Sequence, residues 1–287
     1  MRKTVALAIS LAGMTTMGAA SLPVAPDPVK WMAPQVPARL YGSTYLVGFA
    51  DLNVAMIRTS AGLILVDGGA PKGVPQIEAH LRQLGVSIRQ VKLILSTEPH
   101  YDHAGGIAAL ARDSGARVIA SAPGGAVLRQ GGGDPNDPQA AWLDRFPGVA
   151  KVRAVRDGEL IRLGDTVVTA HATPGHTLGS MSWSWRSCEG KACRTIVFAS
   201  SLNPVAADVW RFADPAHRAF VDAFHDSFAR VKAMRCDLLI ASHPADDQAE
   251  KLARLRKGRT PNPFLDVGAC RRYAARAEAA LAKKLAE

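Results

Sequence analysis

The chain's 287 residues, 48% of them hydrophobic, suffice for one large α/β domain or two small ones, and the mean hydropathy of +0.02 is that of a soluble globule. The formal charge of +10 raises nucleic acid or a membrane as partners. Its cations are scattered, however, with local density only at Arg254 to Arg259 and Arg271-Arg272, and no aromatic residues interleave with them as a stacking platform requires. The pattern reads as a solvated face, and no nucleic-acid partner is expected.

Taken in chain order, Met1-Arg2-Lys3, the apolar stretch Val5 to Ala12 and the small residues Gly18-Ala19-Ala20 form a secretory signal over residues 1–20, with cleavage near Ala20/Ser21. The apolar part is too short and interrupted to span a bilayer, so the mature form is expected in the periplasm or outside the cell, free of membrane. No cysteine lies near the cleavage site to carry a lipid. A single domain, residues 21–287, is expected to follow. After a proline-rich entry (Pro23 to Pro37), β-type runs cover Thr44 to Phe49, Asn53 to Thr59 and Leu63 to Val66, the last ending in Asp67-Gly68-Gly69. Helical spacing over Val74 to Leu84 precedes a short buried strand, Val91 to Leu95.

Directly after that strand, between Ser96 and Gly106, Glu98, His100, Asp102 and His103 place four potential metal ligands within six residues. Imidazole and carboxylate are the donors zinc takes when thiolate is absent. Ligands this close in sequence face two ions only if the backbone leaves regular structure, so a loop is expected, with Gly105-Gly106 opening the helix behind it.

A helix (Ala104 to Arg112), a strand (Arg117 to Ala120) and a helix (Gly125 to Arg129) follow, and then Gly131 to Pro138 is almost pure turn chemistry. Strands Glu159 to Arg162, Thr166 to Thr173, Ser180 to Arg186 and Thr195 to Ala199 come next, with Trp183 and Trp185 marking a core face. Helix Pro215 to Met234, strand Asp237 to Ala241 and a helix from about Asp266 complete the chain. Strand groups followed by helices, twice over, predict two sheets packed face to face with helices outside.

Four cysteines in an exported chain, at 188, 193, 236 and 270, suggest two disulfides, and four cysteines allow three connectivities. Cys188 with Cys193 would close a short loop between strands; Cys236 with Cys270 would tie the last strand to the C-terminal helix. Of eight histidines, His100, His103, His176 and His243 follow apolar runs beside Gly or Pro, where α/β proteins collect functional side chains. His80, His217 and His225 lie in helical segments and are expected at the surface, and His171, within a strand, reads as a core histidine.

Glu98-Pro-His100-Tyr-Asp102-His103, Gly175-His176-Thr177, Phe198-Ala-Ser-Ser201-Leu and Ser242-His243-Pro244, in order with Asp67-Gly68-Gly69, Arg235-Cys236-Asp237 and Cys270-Arg-Arg-Tyr273, resemble the metallo-β-lactamase superfamily, most closely subclass B3. The resemblance runs from about Trp31 to Tyr273. It implies an α/β fold, the αββα sandwich, with two Zn2+ per chain at the rim between the sheets. It also implies a first zinc on Glu98, His100 and His176 and a second on Asp102, His103 and His243, with Glu98 standing where most members have histidine. A carboxylate there leaves the centre one charge unit less positive, hence a weaker Lewis acid.

The activity so implied is zinc-dependent hydrolysis of the β-lactam amide by a metal-bound hydroxide, which confers antibiotic resistance. Asp102 would be both ligand and catalytic acceptor. Ser201 would hydrogen-bond the substrate carboxylate or a water between it and the metal, Asn203, in place of a more usual hydroxyl, would contact substrate, and Gly131 to Phe146, with Trp142, and the residues near Trp31 would wall the pocket. The expected partner is a small-molecule β-lactam, bound by a monomer. The rivals are a lactonase or a glyoxalase-II-like thioesterase on the same fold, which would carry a metal-bridging Asp where Ser201 stands, and a non-catalytic exported zinc-binding protein.

Overall fold

Alternating branched residues build strands buried on both faces. The structure, a computed structural model, describes residues 31–287, so the signal expected over residues 1–20 lies outside it. One sheet runs in the order β1 (Ala38–Tyr41), β2 (Thr44–Leu46), β3 (Ala55–Thr59), β4 (Gly62–Val66), β5 (Val91–Leu95), β6 (Arg117–Ser121) and β7 (Val152–Val155). Its pairs are antiparallel from β1 to β4 and parallel from β4 to β7. The second has the order β12-β11-β10-β9-β8, from β8 (Leu160–Leu163), β9 (Thr166–Ala172), β10 (Met181–Glu189), β11 (Ala192–Ala199) and β12 (Leu238–Ala241). Only β11 and β12 pair in parallel there.

In β4, Ile64 and Val66 point between the sheets while Leu63 and Leu65 point outward under helices α1 (Val74–Gln83) and α3 (Ile107–Ser114); α2 is the single turn Tyr101–Ala104 and α4 spans Ala122–Gln130. In β11, Ile196 and Phe198 face inward, and Val197 and Ala199 meet α5 (Arg218–Ala233) and α7 (Ala269–Leu285). Helix α6 (Gln248–Arg256) adds Leu252 to the edge of the inner layer. The result is the expected αββα sandwich.

Trp183 and Trp185 lie in the inner layer, as expected, and each indole N–H crosses to the other sheet: Trp185 to Thr44 Oγ1 at 2.9 Å and Trp183 to the Ser96 carbonyl at 3.3 Å. Crossing bonds of this kind satisfy a buried donor and fix the rotation of one sheet on the other. The structure pairs Cys188 with Cys193 and Cys236 with Cys270 as disulfides. Strands β1 and β7 were not anticipated: each has four residues, and in β7 only Val155 is fully buried, so no alternation marks it. Among the described residues no helix is long and apolar enough to cross a membrane.

Candidate metal centre

The centre is framed by backbone before any ligand is reached. Asp67, at the end of β4, adopts left-handed backbone with φ 67°, which a short polar side chain tolerates at a cost of ~1 kcal/mol. Its buried carboxylate accepts the Thr97 N–H and the Thr97 hydroxyl, both at 2.7 Å. Next to it, Gly68 N–H donates to the His103 carbonyl and Gly106 N–H to the Gly69 carbonyl, at 2.9 and 2.8 Å. A Cβ on Gly106 would lie 2.2 Å from the Gly68 carbonyl oxygen, so the main chains meet directly only because neither residue has a side chain. From the other sheet, Met181 N–H holds the Thr97 carbonyl at 2.7 Å. Ser96 and Thr97 are thus tied to both sheets, and the ligand-bearing segment from Glu98 onward emerges at the rim the sheets share.

The expected loop is partly a helix. His100 is extended, and Tyr101–Ala104 then makes one helical turn closed by His103 N–H and Ala104 N–H on the His100 carbonyl. The change of backbone sends successive side chains in different directions: Glu98 and His100 join His176, which follows β9, whereas Asp102 and His103 join His243, which follows β12. Within each triad the candidate ligand atoms lie within 4.8 Å of one another. His103 Nε2 sits where the two triads meet, 3.0 Å from Glu98 Oε1, 3.2 Å from Asp102 Oδ2 and 3.2 Å from His243 Nε2. His176 Nε2 is 3.8 Å from Glu98 Oε1, and His243 Nε2 is 3.1 Å from Asp102 Oδ2.

Three of the four imidazoles have an outward nitrogen facing an acceptor. His176 Nδ1 donates to the Asn203 carbonyl at 2.8 Å, His243 Nδ1 to the Asp51 carbonyl at 3.1 Å, and His100 Nε2 to Asp137 Oδ2 at 2.8 Å. An oxygen acceptor requires the N–H on that side, so the other nitrogen keeps its lone pair for the site. His103 Nδ1 makes no hydrogen bond and faces Asp67 Oδ2 at 3.7 Å. This is the donor arrangement of metal-bound histidines, whose outer nitrogens rest on carbonyl or carboxylate, and the two triads fit a pair of zinc ions. Gln139 Nε2 borders the first triad, 3.2 Å from His176 Nε2.

Electrostatics agree. Burial opposes every charge here, yet His103 is held well above the ordinary histidine value by Asp102 and Glu98. Against the same penalty, the imidazoles hold Glu98 and Asp102 below the usual carboxylate range. Asp137 raises His100 in spite of burial, burial lowers His176, and burial raises Asp67 against His103 and Thr97. A pocket with this much buried negative charge attracts a cation.

A cleft of about 460 Å³ opens over the triads, lined by Trp31, Tyr101, Trp142, Leu143, Asn203 and Val205 together with four of the histidines. Trp31 and Trp142 therefore stand in the walls where the sequence put them. Ser201 does not line this cleft; it is 3% exposed and its hydroxyl donates to Glu98 Oε1 at 2.7 Å, a different engagement from the expected substrate contact. His80, expected at the surface, is buried, with Nδ1 donating to the Val47 carbonyl at 2.9 Å and Nε2 beside the Gln76 amide. Its helix turns that position inward, which the mixed polarity of its neighbours concealed. His171 is half-buried and bonded to Ser184 Oγ, His225 is exposed, and His217 stacks on Trp210. Asp137 and Gln139 were missed. The turn-rich run around them was expected as a loop beside the site, but nothing local singled out these two side chains as neighbours of His100 and His176.

Residues 47–190 match the model of the metallo-beta-lactamase superfamily. This chain belongs to the metallo-β-lactamase superfamily. Among solved structures, a B3 metallo-beta-lactamase described as the first with an active-site glutamic acid is 50% identical, with 90% of this chain and 93% of that one covered and a TM-score of 0.82. The metallo-beta-lactamase SMB-1, bound to 2-mercaptoethanesulfonate, is 43% identical over 89% of this chain and 98% of its own, with a TM-score of 0.86. A curated hydroxyacylglutathione hydrolase from Bradyrhizobium sp. (strain ORS 278) is 32% identical over 109 residues, 38% of this chain, which span only about a third (35%) of that relative's length. The solved metallo-β-lactamase relatives are hydrolases, and the two triads here agree with a dinuclear metal site in the same family.

Proposed function

We propose that this chain is an exported hydrolase that opens the amide of β-lactams and thereby confers resistance, with Glu98, His100 and His176 holding a first zinc and Asp102, His103 and His243 a second. The observation that carries this reading is the pair of adjoining triads, in which the outward ring nitrogens of His100, His176 and His243 rest on oxygen acceptors. Zinc bound there supplies Lewis acidity and brings water near ionisation at neutral pH.

The chain's own groups bind and orient. Asp102 Oδ2 faces His103 Nε2 and His243 Nε2, the other candidate ligand atoms of its triad, at 3.2 and 3.1 Å, which would leave Oδ1 to accept a hydrogen bond from the attacking water and fix its direction. Trp31, Trp142 and Leu143 shield the cleft from bulk water and offer apolar contact to the substrate's side groups, and Asn203 stands at its edge to meet a polar group. The strained amide is the substrate class favoured by the metallo-β-lactamase relatives that align over nearly their full length. Thioester hydrolysis is the alternative, drawn from the partial similarity to hydroxyacylglutathione hydrolases. Those enzymes would carry a bridging carboxylate where Ser201 stands, which weighs against it.

The test is turnover of a chromogenic cephalosporin, a carbapenem and a glutathione thioester by purified chain with added zinc and with a chelator, alongside zinc counted per chain. β-Lactam turnover that the chelator abolishes, with two zinc ions bound, is expected. Thioester turnover without β-lactam turnover would move the chain to the alternative.

A further inference from the structure

Glu98 differs from the imidazoles around it in more than charge. Three of those rings are aimed by an outer nitrogen that donates to a fixed oxygen, and a carboxylate has no outer nitrogen to anchor. It also has one more rotatable bond than histidine and two equivalent oxygens, either of which can turn toward a cation. A buried carboxylate ligand therefore needs donors behind it, or its orientation is left open.

Both Glu98 oxygens are held by one residue. Ser201 N–H donates to Oε2 at 2.8 Å and Ser201 Oγ–H to Oε1 at 2.7 Å, and it is Oε1 that faces His103 Nε2 and His176 Nε2. Ser201 is fixed on either side. Its predecessor Ser200 donates N–H to Ser182 Oγ at 3.1 Å and shares a hydroxyl contact with Thr173 at 2.8 Å. The Tyr273 hydroxyl donates to the Ser200 carbonyl at 3.0 Å and accepts from Leu202 N–H at 3.3 Å, spanning Ser201 from behind. Tyr273 lies on α7 just after Cys270, whose bond to Cys236 ties that helix to the start of β12. What Ser201 does border is a second cavity of about 600 Å³, shared with Tyr273 and Gln248.

We propose that Ser201 is a positioning residue for Glu98, clamping both carboxylate oxygens so that Oε1 is presented to the first zinc. This rests on the reading of Glu98 as a metal ligand. It assigns Ser201 to the metal rather than to the substrate.

The test is a double-mutant cycle on the full chain, read as stepwise zinc dissociation constants by competition with a chromophoric chelator. Ser201→Ala should weaken one of the two zinc steps by ~10- to 100-fold, the usual effect of removing a group that orients a ligand, and leave the other unchanged. In a Glu98→His background, where a ring replaces the carboxylate, the same substitution should leave both steps unchanged. Equal weakening in both backgrounds, or none in either, overturns the proposal. So does a rise in KM with zinc affinity unaltered, the signature of a substrate contact. Failure of the unsubstituted chain to take up zinc would instead defeat the metal reading itself, and the two failures are distinct in the same titration. Thermal unfolding of the metal-free variants separates misfolding from lost aim: a Ser201→Ala chain as stable as its parent, yet weaker for zinc, has lost only the hydroxyl that holds Oε1, its N–H still on Oε2.

Discussion

The two triads share donor types and differ in enclosure. Glu98, His100 and His176 are all buried, and the loop carrying Asp137 and Gln139 lies against them; in the other triad the His243 side chain is one third exposed, with its ring 5.0 Å from that of Trp31. The enclosed triad is the one with Glu98, the carboxylate proposed as a ligand. Every one of its members touches a neighbour that fixes its orientation: Ser201 for Glu98, Asp137 for His100, the Asn203 carbonyl for His176. The other triad leans on fewer outside groups, and of its members only His243 is open to solvent, although both triads line the cleft. Where a ligand is walled in by donors and acceptors, the walls can adapt a different chemical group to the same task; where it faces solvent, the ligand itself must be right.

The comparison breaks most severely at the point where the triads meet. His103→Ala removes the imidazole within about hydrogen-bond distance of both Glu98 and Asp102, and hydrolysis should fall by about 10³-fold, with loss of bound zinc. Kinetics and metal analysis on the same preparation check this. Parental activity in His103→Ala or His243→Ala would end the two-metal reading.

Asp137→Asn sharpens the comparison by touching one triad alone. It removes the charged acceptor for His100 Nε2 and should weaken only the step that loads the enclosed triad, by about tenfold, as chelator competition would report. Weakening of both steps would mean that the triads act as one unit. The smallest effect concerns the scaffold that both share. Burial lowers His171 from its ordinary value of 6.5, so the unfolded chain binds a proton more readily than the folded one. Stability is untouched well above that value and is lost as pH falls through it toward the lower folded value. His171→Gln should flatten the acid side of the thermal-midpoint profile equally with and without zinc; an unchanged profile would show that burial of this ring does not matter.

How much of the molecule was legible depended on how local each relation is. The run from Glu98 to His103 announces itself because four ligands sit together behind an apolar strand, and His176 and His243 repeat the strand-end pattern. The layers followed from strand groups succeeded by helices, twice over, whereas the uniformly apolar run Leu63 to Val66 did not reveal which side chains face the other sheet and which the helices. The helical turn at Tyr101–Ala104 escaped because its closing bonds need only four residues and no periodicity. Asp137 escaped for the opposite reason: its partner His100 lies 37 residues earlier, and only the folded loop brings them together. Ser201 was legible as a site residue through family resemblance, but the direction of its hydroxyl was not.

The contact of Gly68 with Gly106 bears on design. Because two bare backbones and the Asp67–Thr97 bonds locate the ligand-bearing segment, the address of the centre is written in main chain and its ligands are fittings at that address. Fittings can be exchanged. A carboxylate at position 98 is one such exchange, and other donors could be installed there without rebuilding the frame, whereas a single methyl group added at position 106 would press on the segment that carries Glu98, His100, Asp102 and His103 together.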